Sequence, residues 1–192
     1  MEMTEEQRLR LKLVSGLLDY PYYPEFWERI RDRMSVAKEL DDRLENVFHV
    51  LEDYRVIDLE QLYVDSFDFD AHQSLYLTVH EMGDSRDRGN ALIELSELYR
   101  QAGYEVPDNL LADYLPLLLE FVALHPDFCP PALHERIARV AGKIAGHLDF
   151  SHPYRVLFTV ITEILGQVDG IKSSDMEEHP DLHDLPYPLD YQ

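Results

Sequence analysis

The chain has 192 residues, 45% hydrophobic and 29% charged, with 38 acidic side chains against 17 basic ones and a formal charge of −21. One domain is expected at this length, with enough apolar content for a core that needs neither disulfide nor metal. So acidic a surface repels phosphate, which excludes nucleic acid and anionic lipid as partners and favours a basic protein segment. The single cysteine, Cys129, excludes an internal disulfide and any multi-cysteine metal site, and fits a reducing compartment.

The amino-terminal run MEMTEEQRLRLKLVSGLL mixes acids and bases ahead of any apolar stretch, unlike a secretory signal. Thr4 and Gln7 have capping-box spacing and open a first helix with Leu9, Leu13, Val14 and Leu17 on one face. It stops before Tyr20-Pro21, because a residue preceding proline avoids the helical region. A short aromatic helix follows over 24–33 with Phe26, Trp27 and Ile30. Leu40, Leu44, Val47, Phe48 and Leu51 define a third. Asp58 and Gln61 repeat the capping-box spacing ahead of Leu59, Leu62 and Tyr63.

Periodicity is poor from Ser66 to Gly83. The next helix starts near Asp84 or Ser85, uses Leu92, Ile93, Leu95, Leu98 and Tyr99, and ends at Gly103 as a left-handed cap. Asp113 to Leu124 reads as a buried helix that admits Pro116 only in its first turn. The densest apolar stretch, Leu115 to Leu124, contains Pro116 and Glu120 and falls far short of the ~20 residues of a membrane span. Pro131 opens the next helix, with Leu133, Ile137, Val140, Ile144 and Leu148 inward. Ser151-His152-Pro153 opens the last, where Val156, Leu157, Val160, Ile161 and Ile164 repeat at helical spacing. The expectation is an all-α, single-domain bundle of eight or nine helices, cytoplasmic and without membrane insertion.

Two stretches concentrate the charge. Residues 52–87 carry a net −8 and residues 172–192 a net −5. The latter stretch also holds Pro180, Pro186 and Pro188, so a helical domain over 1–170 and a flexible acidic tail over 171–192 are expected.

Little of the chemistry points to catalysis. His179 and His183 are spaced i, i+4 beside Asp184, but the tail prolines oppose a helix there. His147 and His152 lack a third ligand, and His80-Glu81 lacks the second histidine of an HExxH zinc pattern. Cys129 has no basic neighbour in sequence and reads as a small buried side chain. No GxSxG, GxxxxGK[ST] or GxGxxG occurs. A small helical metal-dependent phosphohydrolase is the enzymatic alternative, resting on His183-Asp184 and scattered histidines alone.

The unusual segments are YVDSFDFD, Tyr63 to Asp70, and HEMGDSRDRG, His80 to Gly89. Taken alone, Tyr63 and Phe67 read as core, and Arg86 and Arg88 as salt-bridge partners that pin a loop. Together, Tyr63-x-x-x-Phe67-Asp68, His80 and Ser85-Arg86-Asp87-Arg88-Gly89 closely resemble the nitrate reductase molybdenum cofactor assembly chaperones, also called the nitrate reductase delta subunit or NarJ family. Supporting matches are YLPLLLEF from Tyr114 through Glu120 to Phe121, SHPYRVLF from Ser151 to Phe158, and VSGLLDYP from Val14 to Pro21. The twin-arginine signal chaperones are the neighbouring group, and the Ser85 to Gly89 motif favours the nitrate reductase branch.

The resemblance implies an all-helical chaperone, not an enzyme, dedicated to one molybdenum oxidoreductase. It would bind the amino-terminal segment of the apo catalytic subunit, delay membrane assembly and allow insertion of molybdopterin guanine dinucleotide. That cofactor belongs to the client; none is bound permanently by the chaperone. Tyr63, Phe67, Asp68, His80, Arg86, Asp87, Arg88, Tyr114 and Glu120 are the partner-binding residues it implies. In physical terms, a basic segment with an apolar stripe would lie in a helical groove, drawn in by acids such as Asp65, Asp68 and Asp70. A permanent structural subunit is a further reading within the binding class.

Overall fold

The structure, a computed structural model, describes residues 3–22, 24–37, 41–83 and 85–166, without the side chains of 35–37. Nine α-helices make up most of the described residues: α1 Glu5–Leu17, α2 Glu25–Ala37, α3 Asp42–Glu52, α4 Val56–Phe67, α5 Leu77–Met82, α6 Asp87–Gln101, α7 Leu115–Leu124, α8 Pro131–His147 and α9 Arg155–Leu165. A 3-10 turn, Pro126–Phe128, joins α7 to α8. Among the described residues there is no β-strand, and the all-α class expected from periodicity is what the chain adopts.

The layout follows from which helices are apolar on one face and which all round. In α7, Leu115, Leu117, Leu118, Leu119, Phe121 and Val122 are all buried, as a helix apolar around its whole circumference must be. It packs on α1, which also meets α2, α3 and α9. The α8–α9 hairpin closes the other side, burying Ile137, Ile144, Leu157 and Ile161. Each fully buried side chain of this kind contributes about 1.5–3 kcal/mol.

Local signals explain most helix ends. Thr4 and Gln7 form the expected capping box, with the Gln7 N–H donating to Thr4 Oγ1 at 3.2 Å and the Thr4 N–H to Gln7 Oε1 at 2.9 Å. Gly103 has φ 69°, and α6 ends with the Tyr104 N–H donating to the Tyr99 carbonyl and the Gly103 N–H to the Arg100 carbonyl. This is the Schellman pattern, completed by the Tyr99–Tyr104 ring contact. Pro116 sits in the first turn of α7, where its missing N–H costs nothing.

Four expectations shift. Ile93 is 68% exposed, because the buried stripe of α6 runs through Ala91, Leu95 and Tyr99 and Ile93 lies off it. The Asp58–Gln61 box does not form, because Arg55 lies three residues ahead of Asp58 and takes its carboxylate at 2.6 and 2.8 Å. Gln61 turns to Asp65 instead, and α4 starts earlier, at Val56. Helix α6 starts at Asp87 rather than at 84 or 85; Ser85 accepts the Asp87 N–H at 3.1 Å, and Asp84 lies outside the described residues. Helix α7 starts at Leu115, since Asp113 lies in a turn and Tyr114 is extended to bridge Tyr76: Leu77 N–H donates to the Asp113 carbonyl, and Leu115 N–H to that of Leu75. Leu40, the 170/171 boundary and the whole 171–192 tail also lie outside the described residues.

Candidate partner-binding site

The site begins where α1 stops. Pro21 ends the helical run, and Asp19 turns its carboxylate across the gap to α7. One oxygen, Oδ1, accepts the Tyr20 N–H at 3.0 Å and the Tyr114 hydroxyl at 3.3 Å. The other, Oδ2, accepts from Arg29 of α2 at 2.8 Å. Tyr114 is in turn 2.8 Å from the hydroxyl of Tyr63, which points inward from α4. Tyr114 donates to Asp19, a bond strengthened by the charge it ends on, and the single Tyr63 proton has two acceptors in reach, the Tyr114 hydroxyl at 2.8 Å and the Leu18 carbonyl at 3.2 Å. Burial pushes both phenols well above the ordinary tyrosine range, so they remain protonated donors.

The aromatic rings continue outward from this cluster. Tyr20 lies edge-on to Tyr63 at 5.2 Å and against Tyr22 at 4.7 Å, while Tyr76 lies 5.5 Å from Tyr114. Tyr22 is 63% exposed, and Tyr20 and Tyr76 are half-buried. Partial burial raises the Tyr20 hydroxyl first, then the carboxylates of Glu60 and Asp68 add to it. Tyr76 is raised by burial, then by Asp113 and Asp68. Asp68 thus acts on both outer tyrosines. Exposed rings beside carboxylates are suited to a cationic side chain, which gains from the ring face and from the acid together.

A cleft of about 190 Å³ opens beside the cluster, lined by Gly16, Asp19, Tyr104, Tyr114, Pro116 and Glu120, with Arg29 and Arg33 of α2 along one wall. Glu120 accepts from Arg33 at 2.6 Å and from the Tyr104 hydroxyl at 3.2 Å. Burial, then the Glu120 carboxylate, moves the Tyr104 hydroxyl up to about 12. Gly16 sets how closely α2 approaches. A β-carbon there would lie 2.6 Å from Ile30 Cδ1 and 2.9 Å from an Arg33 nitrogen. Its absence lets Arg33 reach over α1 to the Lys12 carbonyl at 2.8 Å.

The structure sorts the residues expected from sequence. Tyr63, Tyr114 and Glu120 gather around the cluster and cleft, and exposed Asp68 flanks it. Phe67 is core, with rings of Tyr63, Tyr154 and Phe158 against it. His80 stands apart, its Nε2 donating to the Ser74 carbonyl at 2.7 Å and its pKa lowered by burial. Arg88 turns inward: its Nε donates to Thr78 Oγ1 at 2.9 Å, and its guanidinium lies 3.7 Å from fully buried Asp113. Asp87 pairs with neither arginine; it accepts from Ser85 at the start of α6. Arg86 is exposed. Asp65 and Asp70 are exposed and locally engaged, by Gln61 and by the His72 N–H.

Sequence reasoning missed Asp19, Tyr20, Tyr76, Arg29, Arg33 and Asp113. Asp19-Tyr20 lay within the VSGLLDYP match and could have been singled out there; the arginines of α2 carried no motif. Cys129 is buried, and desolvation pushes its thiol up to about 12, which makes it a poor nucleophile at neutral pH. Among the described residues no three His, Cys, Asp or Glu side chains are placed to share a metal; His179, His183 and Asp184 lie outside them. No described helix is long and apolar enough to cross a membrane.

The described residues thus form a helical bundle with a part-buried polar cluster on Asp19, Tyr63 and Tyr114 beside tyrosines and exposed acids. The family profile for the nitrate reductase delta subunit matches residues 34–140, more than half of the chain, and the chain belongs to that family. It is similar to NarJ of Bacillus subtilis, a nitrate reductase molybdenum cofactor assembly chaperone, with 29% identity over 89% of this chain and 95% of that one. NarJ of Escherichia coli K12, with the same role, is 29% identical over 95% of this chain and 80% of that one. A solved structure described as a redox enzyme maturation protein from Archaeoglobus fulgidus shares the fold, with TM-score 0.62 and 19% identity over 83% of this chain and 93% of that one. The family is one of cofactor-assembly chaperones, maturation proteins without catalysis of their own, and this chain is not an enzyme.

Proposed function

We propose that this chain is a maturation chaperone for a molybdenum oxidoreductase of the nitrate reductase type, and that it holds the amino-terminal segment of the apo catalytic subunit while molybdopterin guanine dinucleotide is inserted into that client. The observation that carries the binding mode is the face built on Asp19: a carboxylate fixed by the Tyr63–Tyr114 pair, with Tyr20, Tyr22 and Tyr76 around it and Asp68 beside them.

The segment's basic residues seat against these rings and acids, and its apolar residues line the cleft wall at Pro116 and Leu117. Apolar burial supplies most of the affinity, less the cost of ordering the segment, which leaves an intermediate strength suited to later release.

The test is titration calorimetry with a synthetic peptide of the client's amino-terminal segment. Asp19→Asn and Tyr22→Ala should each weaken binding about twofold to fivefold, the range of one exposed cation–π or charge contact. Cells lacking the chain should contain client protein poor in molybdenum. Full affinity in Asp19→Asn would move the binding face elsewhere, and normal client molybdenum without the chain would end the chaperone reading.

A further inference from the structure

Three carboxylates, Asp19, Glu105 and Glu120, and two arginines line the cleft, and the arginines are not equivalent. Arg33 is locked: it reaches Glu120 at 2.6 Å and the Lys12 carbonyl at 2.8 Å, crosses α1 over Gly16, and its side chain is 20% exposed. Arg29, one helical turn earlier on α2, is 41% exposed, and Asp19 is its ion-pair partner among the described residues. Asp19 has separated its two oxygens by function. Oδ1 is held by two uncharged donors, the Tyr20 N–H and the Tyr114 hydroxyl, whereas Oδ2 faces Arg29 at 2.8 Å. If Arg29 swings away, the carboxylate keeps its orientation and presents one free oxygen to the cleft that Asp19 lines.

We infer that Arg29 is a resident stand-in for the client: its guanidinium occupies the position on Asp19 that a Lys or Arg of the bound segment takes, so that binding is an exchange of one cation for another. This inference rests on the binding mode proposed above and adds a regulatory element to it. An empty acidic site would attract any basic peptide in the cell. A site already neutralised by its own arginine rejects a lone cation, since the exchange returns one ion pair for another. It yields only to a segment whose cation arrives with apolar contacts that Arg29 does not make. The stand-in therefore raises the discrimination between client and bystander, a gain obtained by weakening the competitor more than the partner. It also provides for release, because Arg29 stays tethered on α2 within reach of Asp19 and competes at high effective concentration throughout.

The inference predicts a direction that charge loss at an arbitrary position does not share. Arg29→Gln should tighten binding of the synthetic amino-terminal client peptide about threefold to fivefold, the range of an exposed ion pair. Arg31→Gln is the control. It removes the same charge from the same helix, but its partner is Glu52 at 2.8 Å, and it does not line the cleft; its affinity should stay within about twofold. In the Asp19→Asn background, Arg29→Gln should give no gain, since there is no carboxylate left to vacate. With a peptide whose Lys and Arg are all replaced by Gln, the gain should also vanish. Thermal unfolding of each variant verifies that it is folded.

Equal gains from Arg29→Gln and Arg31→Gln would overturn the stand-in and leave only a general charge effect. So would unchanged or weaker binding by Arg29→Gln while Asp19→Asn still weakens it, an outcome that leaves the proposed binding face standing. Indifference of the wild-type affinity to Asp19→Asn, or no binding by the wild type, removes the face and the stand-in together.

Discussion

Arg88 and Asp113 meet in the interior, with the Arg88 guanidinium 3.7 Å from an Asp113 carboxylate that is wholly buried. Thr78 lies between them: its N–H and hydroxyl both donate to Asp113 Oδ2, and its Oγ1 accepts from Arg88 Nε. Three segments are tied at one point, α5, α6 and the turn ahead of α7. The strongest arginine in the Ser85 to Gly89 motif is therefore an anchor of the fold. Asp113→Ala, which leaves the Thr78 donors and Arg88 without an acceptor, should cost about 2–4 kcal/mol. Arg88→Ala should cost about 1–3 kcal/mol by leaving a buried carboxylate short of a partner. Exposed Arg86→Ala should stay within about 0.5 kcal/mol of wild type. Urea denaturation of the three variants gives the ranking, and a larger loss for Arg86→Ala than for Arg88→Ala would contradict this assignment.

Stability should fall as pH drops below neutrality. His80, His134 and His152 all have pKa values lowered from 6.5 by burial. In the unfolded chain each ring takes up a proton near its ordinary value, while in the fold each resists it. The unfolded state therefore binds more protons between about pH 6.5 and the lowered values, and stability rises with pH across that window. His134 is the sharpest probe, because it is 7% exposed and neither ring nitrogen has a hydrogen-bond partner among the described residues. His134→Leu should flatten the slope and add about 1 kcal/mol at neutral pH by removing an unsatisfied polar group. The check is Tm against pH from 5 to 8; a profile equally steep in His134→Leu would shift the effect to the other two histidines.

The elements were legible where the chemistry is local. Thr4 with Gln7, Gly103, Pro116 and Pro131 each mark a helix end through nearby groups, and each plays that part in the structure, although α7 begins at Leu115 rather than at Asp113. Asp58 shows the limit of that logic: the same spacing failed because an arginine three residues away offered the carboxylate a stronger partner than a backbone N–H. The site was legible only in pieces. Tyr63 and Tyr114 are 51 residues apart, and their hydroxyl contact depends on α4 and the start of α7 meeting at the end of α1, where Tyr63 also reaches the Leu18 carbonyl. Asp19 became important through residues at 29, 63 and 114, none of which announces the others. Arg88 reads in sequence as one of two equivalent arginines, and only the burial of Asp113 separates it from Arg86.

Gly16→Ala tests how tightly the cleft wall is set. The new methyl would stand 2.6 Å from Ile30 Cδ1 and 2.9 Å from an Arg33 nitrogen, so one or both side chains must move. Both contacts are the far ends of flexible side chains. The gain of about 1 kcal/mol from replacing a helical glycine therefore offsets much of the crowding. The net change in stability should stay within about 1 kcal/mol, while Arg33 loses its hold on Glu120 and the Lys12 carbonyl. The Tyr104 hydroxyl then remains the donor to Glu120. A loss of several kcal/mol would show that α2 as a whole, not the Arg33 tip, has to retreat.

Salt should weaken client-peptide binding chiefly by slowing association. The face carries exposed Asp68 and half-buried Glu60 near Tyr20, and residues 52–87 hold a net −8. Such charges steer encounter over distances that salt cuts off: the Debye length is about 10 Å at 0.1 M and about 3 Å at 1 M. In the proposed complex the segment's cation would pair with Asp19, whose side chain is only 30% exposed, and apolar contacts do not depend on screening. The association rate constant should therefore fall about tenfold or more between low and high salt, with the dissociation rate constant changing much less. Asp68→Asn should lower the association rate at low salt and reduce its salt dependence while leaving dissociation near wild type. Stopped-flow fluorescence with a labelled peptide separates the two constants. A salt effect carried mainly by dissociation would mean that the acids act as buried contacts in the complex rather than as a steering field, and Asp68 would then join Asp19 among the residues the segment touches.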